Sequence, residues 1–189
     1  MSDFRIDKIT NRDGSAGTQI CGVSTFSGTS GMIMPGGPTE YRGGRGRGVF
    51  LGGYVHPAMV NKIDYVTIQT TGNAVNFGDL LTAKNQPGAC SNSTRGLIAG
   101  GNPETDTVEY IQIQSSGNSL DFGNLTQARY YNSTSGSCTR GVVAAGTTPS
   151  YQNTMDYYQI ATTGDLVDFG DLNETRPRSA ALSNGHGGL

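Results

Sequence analysis

Apolar residues in this chain come in short bursts, and the bursts recur. Arg47-Gly48-Val49-Phe50-Leu51-Gly52-Gly53 returns as Arg95-Gly96-Leu97-Ile98-Ala99-Gly100-Gly101 and again as Arg140-Gly141-Val142-Val143-Ala144-Ala145-Gly146. A second burst spans residues 63–68 and returns at 108–113 and 155–160, rich in β-branched and aromatic side chains. A third reads Val75-Asn76-Phe77-Gly78-Asp79-Leu80, then Leu120-Asp121-Phe122-Gly123-Asn124-Leu125, then Val167-Asp168-Phe169-Gly170-Asp171-Leu172. The leading arginines lie 48 and 45 residues apart and the phenylalanines 45 and 47. Short bursts rich in apolar, β-branched and aromatic residues between Gly-rich breaks predict strands, and no window carries a helical stripe, so the expected class is all-β.

Between the second and third bursts sit Thr70-Thr71-Gly72-Asn73, Ser115-Ser116-Gly117-Asn118 and Thr162-Thr163-Gly164-Asp165. A Gly followed by Asn or Asp predicts a hairpin turn, since Gly and then Asn tolerate positive φ best. A fourth strand is expected before the later Arg-Gly phrases, at 89–92 and 133–137. Four strands in about 46 residues is the length of one propeller blade. The repeats then run over about 43–88, 89–133 and 134–178. Ser183-Asn184-Gly185-His186-Gly187-Gly188-Leu189 aligns with Ser91-Asn92-Ser93-Thr94-Arg95-Gly96-Leu97, which makes 179–189 a partial fourth copy, out of phase with the first. Residues 1–42 do not match the repeat and are expected to form a separate extended anchoring segment, with a turn at Pro35-Gly36-Gly37-Pro38.

Composition narrows the function. Of 189 residues, 29 are Gly and none is Trp, and 34% are hydrophobic, which fits many tight turns. A net charge of −2 gives no electrostatic case for nucleic acid or an anionic membrane, and no apolar stretch approaches membrane-spanning length. The three cysteines, Cys21, Cys90 and Cys138, have neither disulfide nor zinc spacing and read as free, buried thiols. No cofactor or metal is expected. Asp121-Phe122-Gly123 spells a kinase metal-binding triplet, but it recurs with the repeat, as a structural turn does and a catalytic group does not. His56 and His186 are far apart and not equivalent. Asp64, Glu109 and Asp156 are equivalent acids, expected to pair with Arg47, Arg95 and Arg140 within or between repeats. Tyr65, Tyr110 and Tyr157 are expected to pack between repeats, with Phe77, Phe122 and Phe169 as further structural positions. Exposed tyrosines that bind sugars are the rival reading.

The apolar run closed by Gly-Gly, the Val108-Glu109-Tyr110 opening of the next strand and the Leu125-Thr126-Gln127-Ala128-Arg129 exit together resemble Kelch-type propeller repeats. The subtype, with Asp-Phe-Gly-(Asp/Asn)-Leu phrases, is similar to repeats in virion structural proteins of marine bacteriophages, cyanophages especially. The opening Ile9-Thr10-Asn11-Arg12-Asp13-Gly14-Ser15-Ala16-Gly17 resembles N-terminal segments of cyanophage tail and fibre proteins. The resemblance implies a non-enzymatic virion protein: a tail, neck or fibre accessory, or a capsid decoration. It would be anchored to other virion proteins through residues 1–42, with a host-glycan or receptor-binding module as the alternative. Propeller rings need at least about four blades. Three repeats and a fragment therefore imply a homo-oligomer that completes the ring, with a β-trefoil as the alternative fold.

Overall fold

The computed structural model of the chain describes residues 26–27, 31–32 and 46–183. The chain divides into two parts, Met1–Arg42 and Gly43–Leu189. In the first part, β1 (Phe26–Ser27) pairs antiparallel with β2 (Gly31–Met32). The expected turn at Pro35-Gly36-Gly37-Pro38, most of the expected anchoring segment, Cys21, His186 and the tail beyond Ser183 lie outside the described residues.

The second part is a series of antiparallel sheets, one per repeat. Repeat 1 carries β3 (Arg47–Leu51), a short hairpin of β4 (Tyr54–Val55) and β5 (Ala58–Met59), then β6 (Lys62–Thr67) and β7 (Val75–Asp79). Repeat 2 carries β8 (Gly88–Ser91), β9 (Arg95–Ala99), β10 (Thr107–Gln112) and β11 (Leu120–Asn124). Repeat 3 carries β12 (Ser133–Gly136), β13 (Arg140–Ala144), a hairpin of β14 (Thr147–Thr148) and β15 (Ser150–Tyr151), then β16 (Thr154–Gln159) and β17 (Val167–Asp171). The sheet orders are β3-β6-β7, β8-β9-β10-β11 and β12-β13-β16-β17, each a plain up-and-down meander. All described elements are strands, so the class is all-β as the patterning predicts. Among the described residues, β3 has a ladder partner on one side only.

Each sheet is apolar on both faces because its strands alternate between two neighbours rather than between core and water. In repeat 2, Ile98 and Ile111 point back and join Ile63, Phe77 and Leu80 of repeat 1 in one cluster. Leu97, Ala99, Val108, Phe122 and Leu125 point forward and join Val143, Tyr158, Ile160 and Leu166 of repeat 3. The core therefore lies between sheets, one cluster per seam.

The Phe-Gly phrase is a bulge. The β10–β11 register shifts between Val108 and Glu109, and the same shift recurs at Ile63/Asp64 and Met155/Asp156. The extra residue on the outer strand turns the Phe toward the next sheet. The following Gly lets that sheet come close: a Cβ at Gly123 would overlap the Gly164 carbonyl, and one at Gly78 the Gly117 carbonyl.

The Gly-Asn and Gly-Asp pairs do not form the hairpin turns expected of them. The chain reverses earlier, where Thr70, Ser115 and Thr162 donate their amides to the carbonyls of Thr67, Gln112 and Gln159. The freed Gly-(Asn/Asp) segment reaches back to the preceding sheet. Gly117 N and Ser119 N donate to Phe77 O and Asp79 O at 2.8 and 2.9 Å, and Asn118 Oδ1 accepts from Asp79 N. One repeat on, Gly164 N and Leu166 N donate to Phe122 O and Asn124 O at 2.7 and 2.8 Å, and Asp165 Oδ1 accepts from Asn124 N. It is a clasp between repeats.

Candidate functional site

The recurring residues converge on the seams. On the forward face of every sheet, an Arg from the first long strand lies over a Tyr from the central strand, and a Phe from the outer strand meets that Tyr edge-on. Arg47, Arg95 and Arg140 sit 4.6, 4.7 and 4.8 Å from the ring centroids of Tyr65, Tyr110 and Tyr157. The T-shaped pairs Tyr65–Phe77, Tyr110–Phe122 and Tyr157–Phe169 have centroids 6.0, 6.1 and 5.9 Å apart. Both contacts are favourable geometries of the ring quadrupole.

The arginines bridge repeats, though by a different route from the expected carboxylates. Arg47 Nη1 donates to Ile113 O at 2.7 Å in repeat 2, and Arg95 Nη1 to Ile160 O and Ala161 O at 3.0 Å in repeat 3. Arg140 keeps its Tyr157 stack but is exposed.

The acids take other partners. Glu109 pairs with Lys84 at 2.5 Å and Asp156 with Arg129 at 2.7 Å, all four side chains essentially excluded from solvent. Each cation belongs to the preceding repeat, four residues beyond Leu80 or Leu125. Each acid also holds the exit of that repeat: Glu109 Oε2 accepts from Leu81 N, and from Ser119 Oγ of its own repeat, and Asp156 accepts from Thr126 N and Thr126 Oγ1. Arg129 adds bonds to Thr154 O and Thr154 Oγ1. Burial lowers the Arg129 pKa, and the charge of Asp156 and its hydrogen bond oppose that. Asp64, the third acid, is exposed.

The thiols differ from expectation too. Cys138 is exposed, whereas Cys90 is half-buried with its Sγ 2.6 Å from Tyr158 Oη across the second seam. Burial pushes the Cys90 thiol up, partly offset by that bond, and pushes Tyr158 up as well. A raised folded-state pKa contributes stability below the unfolded thiol's value and loses it as pH rises past about 8.5. Iodoacetamide at pH 8 is expected to label Cys138 readily and Cys90 only on unfolding, since the thiolate is the reacting form. Peptide mapping that finds both labelled at one rate would contradict this packing.

No family model matches the chain, and no curated protein matches it. Among the described residues, no cluster of three His, Cys, Asp or Glu is placed to hold a metal, and no helix is long and apolar enough to cross a membrane. Tyr65, Tyr110 and Tyr157 are occupied by their Arg and Phe neighbours. Among the described residues the exposed tyrosines are elsewhere, at Tyr54 and Tyr151 on the short hairpins of repeats 1 and 3. His56 lies beside Tyr54, its ring 6.2 Å away. Sequence reasoning missed Lys84 and Arg129 as partners of the acids. Their signal was a cation recurring four residues past the Leu of each Phe-Gly phrase, Arg176 being the third.

Proposed function

We propose that the chain is a non-enzymatic structural protein of a bacteriophage virion, a tail, neck or fibre accessory or a capsid decoration, whose sheets are Kelch-like propeller blades. Residues 1–42 anchor it to another virion protein, and the repeat body projects or decorates. The observation that carries the reading is the use of the recurring residues at the two seams: there the arginines, tyrosines, phenylalanines and acids are spent on joining one sheet to the next. A protein whose repeated chemistry is all adhesive suits an assembly part. The meander order within each sheet favours blades over a trefoil. A ring of such blades is completed by further copies of the chain.

Antibody against the repeat body is expected to decorate purified particles in electron micrographs, at one place on each. Unlabelled particles, with the protein recovered only from the infected-cell lysate, would sink the virion reading. A host-glycan-binding role is the second reading. It draws on Tyr54 and Tyr151, whose open rings lie in corresponding hairpins of two repeats and offer faces to sugar.

A further inference from the structure

The two seams share one chemistry, and the outermost faces of the series each carry half of it. On the forward face of repeat 3, Phe169 is 49% exposed, whereas Phe77 and Phe122 are 3% and 2% exposed at the seams. Arg176 is exposed where its counterparts Lys84 and Arg129 are buried in ion pairs. Among the described residues, none lies within 4 Å of a Cβ built on Gly170, the counterpart of the two glycines that meet a clasp carbonyl. On the back face of repeat 1 the complementary set is open. Phe50 is 62% and Ile68 67% exposed, where Ile98, Val143 and Ile160 are 0% exposed. Asp64 is exposed where Glu109 and Asp156 are sealed, and the clasp residues Gly72 and Asn73 face solvent.

A strand is open as well. Arg178–Ser183 runs on beside β12, holding Tyr131 O through Arg178 N, Ser133 Oγ through Ser179 Oγ, and Gly136 O through Ser183 Oγ at 2.6 Å. Tyr131 N holds Gln86 O in the same way, so the segment stands to β12 as β12 stands to β8. Gln86, Tyr131 and Arg178 share that step and its backbone, with φ of 57°, 57° and 58°. Leu182 on this segment is 96% exposed. In repeat 1, the side of β3 without a ladder partner borders a groove of about 230 Å³ whose walls include Val49, Leu51, Leu97 and Ile111.

We infer that a second copy of this chain docks head to tail, with the face of repeat 3 covering the back of repeat 1 and the segment 179–183 adding to β3 as its fourth strand. The inference rests on the reading that the repeats are completed by other copies. The registers β8–β9 and β12–β13 set the added ladder: Ala180 opposite Leu51, Ala181 opposite Phe50, Leu182 opposite Val49 and Ser183 opposite Gly48. Leu182 takes the position that Cys90 holds against Tyr158, which here is the groove wall at Ile111. Arg176 meets Asp64 as Arg129 meets Asp156, and Arg140 gains the carbonyl of Ile68 as Arg95 has that of Ile160. An edge strand and two matched half-cores of opposite hand make a heterologous contact, which closes into a ring when the rotation allows.

The test uses the full chain with Cys21, Cys90 and Cys138 changed to Ser, plus Phe50→Cys and Ala181→Cys. This pair falls at a non-hydrogen-bonded position, where antiparallel Cα atoms are close enough for a disulfide. Mild oxidation is expected to link separate chains, and neither single variant should do so. By light scattering, Asp64→Arg alone and Arg176→Asp alone should each weaken self-association at least about tenfold, and the two together in one chain should restore it. A multimer indifferent to both reversals and without the disulfide overturns the junction but leaves the oligomeric reading standing. A monomer without the disulfide overturns both, as when residues 1–42 cover β3. A disulfide formed within one chain overturns the second copy in favour of closure on itself.

Discussion

Asp156→Ala is expected to lower the stability of the repeat body by about 3–5 kcal/mol, the usual consequence of stranding one buried charge. Arg129 is fully buried, and its guanidinium already has a lowered pKa from desolvation that Asp156 opposes. Removing the carboxylate leaves Nη2 facing an empty site and strips Thr126 N and Thr126 Oγ1 of their acceptor. Arg129→Met combined with Asp156→Leu is expected to recover most of the loss, because an apolar pair of similar volume is often as stable as a buried ion pair. Urea unfolding of the wild type and both variants checks this. A cost below about 1 kcal/mol for Asp156→Ala would place it with ordinary surface changes and contradict the sealed seam.

Phe122→Ala is expected to cost about 3–5 kcal/mol, in the range of large aromatic truncations in packed cores. Its ring meets Tyr110 in its own sheet and Tyr158 in the next, at 6.1 and 5.6 Å, so the cavity would open at the second seam itself. Phe169→Ala is the built-in control. In a chain held monomeric by Asp64→Arg, it should cost less than about 1 kcal/mol, because a half-exposed ring behaves nearer to a surface residue. In the head-to-tail assembly inferred above, the two substitutions should converge. Thermal or urea unfolding in both backgrounds reads the difference, and equal costs in the monomer would mean the forward face of repeat 3 is already covered.

Most of the long strands were readable as short apolar bursts between Gly-rich breaks, and their boundaries fell within a residue or two, whereas the short hairpins β4–β5 and β14–β15 were not read. The burst read as 108–113 is β10 at Thr107–Gln112, and the weak, small-residue strand before Arg140 is β12. The errors came where one local pattern serves two purposes. A Gly-Asn pair between strands has the composition of a hairpin turn, and only the neighbouring sheet reveals that Gly117 and Asn118 hold Phe77 and Asp79 instead. Charge pairing failed for a related reason. Arg95 and Glu109 belong to adjacent strands, but their side chains leave opposite faces of the sheet, so each meets a different repeat. Strand alternation already excluded a pair within one repeat, since residue 95 pairs with 112 and residue 109 with 98; across the second seam Arg95 reaches Ile160 O, four residues along the chain from Asp156, which Arg129 holds.

The clusters that straddle adjoining sheets also bear on how such a chain changes over generations. No sheet has a private interior, and stability in such a series is roughly a sum of neighbour terms. Unequal crossing-over between two stretches of the gene would insert or delete whole sheets, and each new boundary would already be complementary. The number of sheets could then drift in single steps, so the gene can lengthen or shorten the series without inventing a contact.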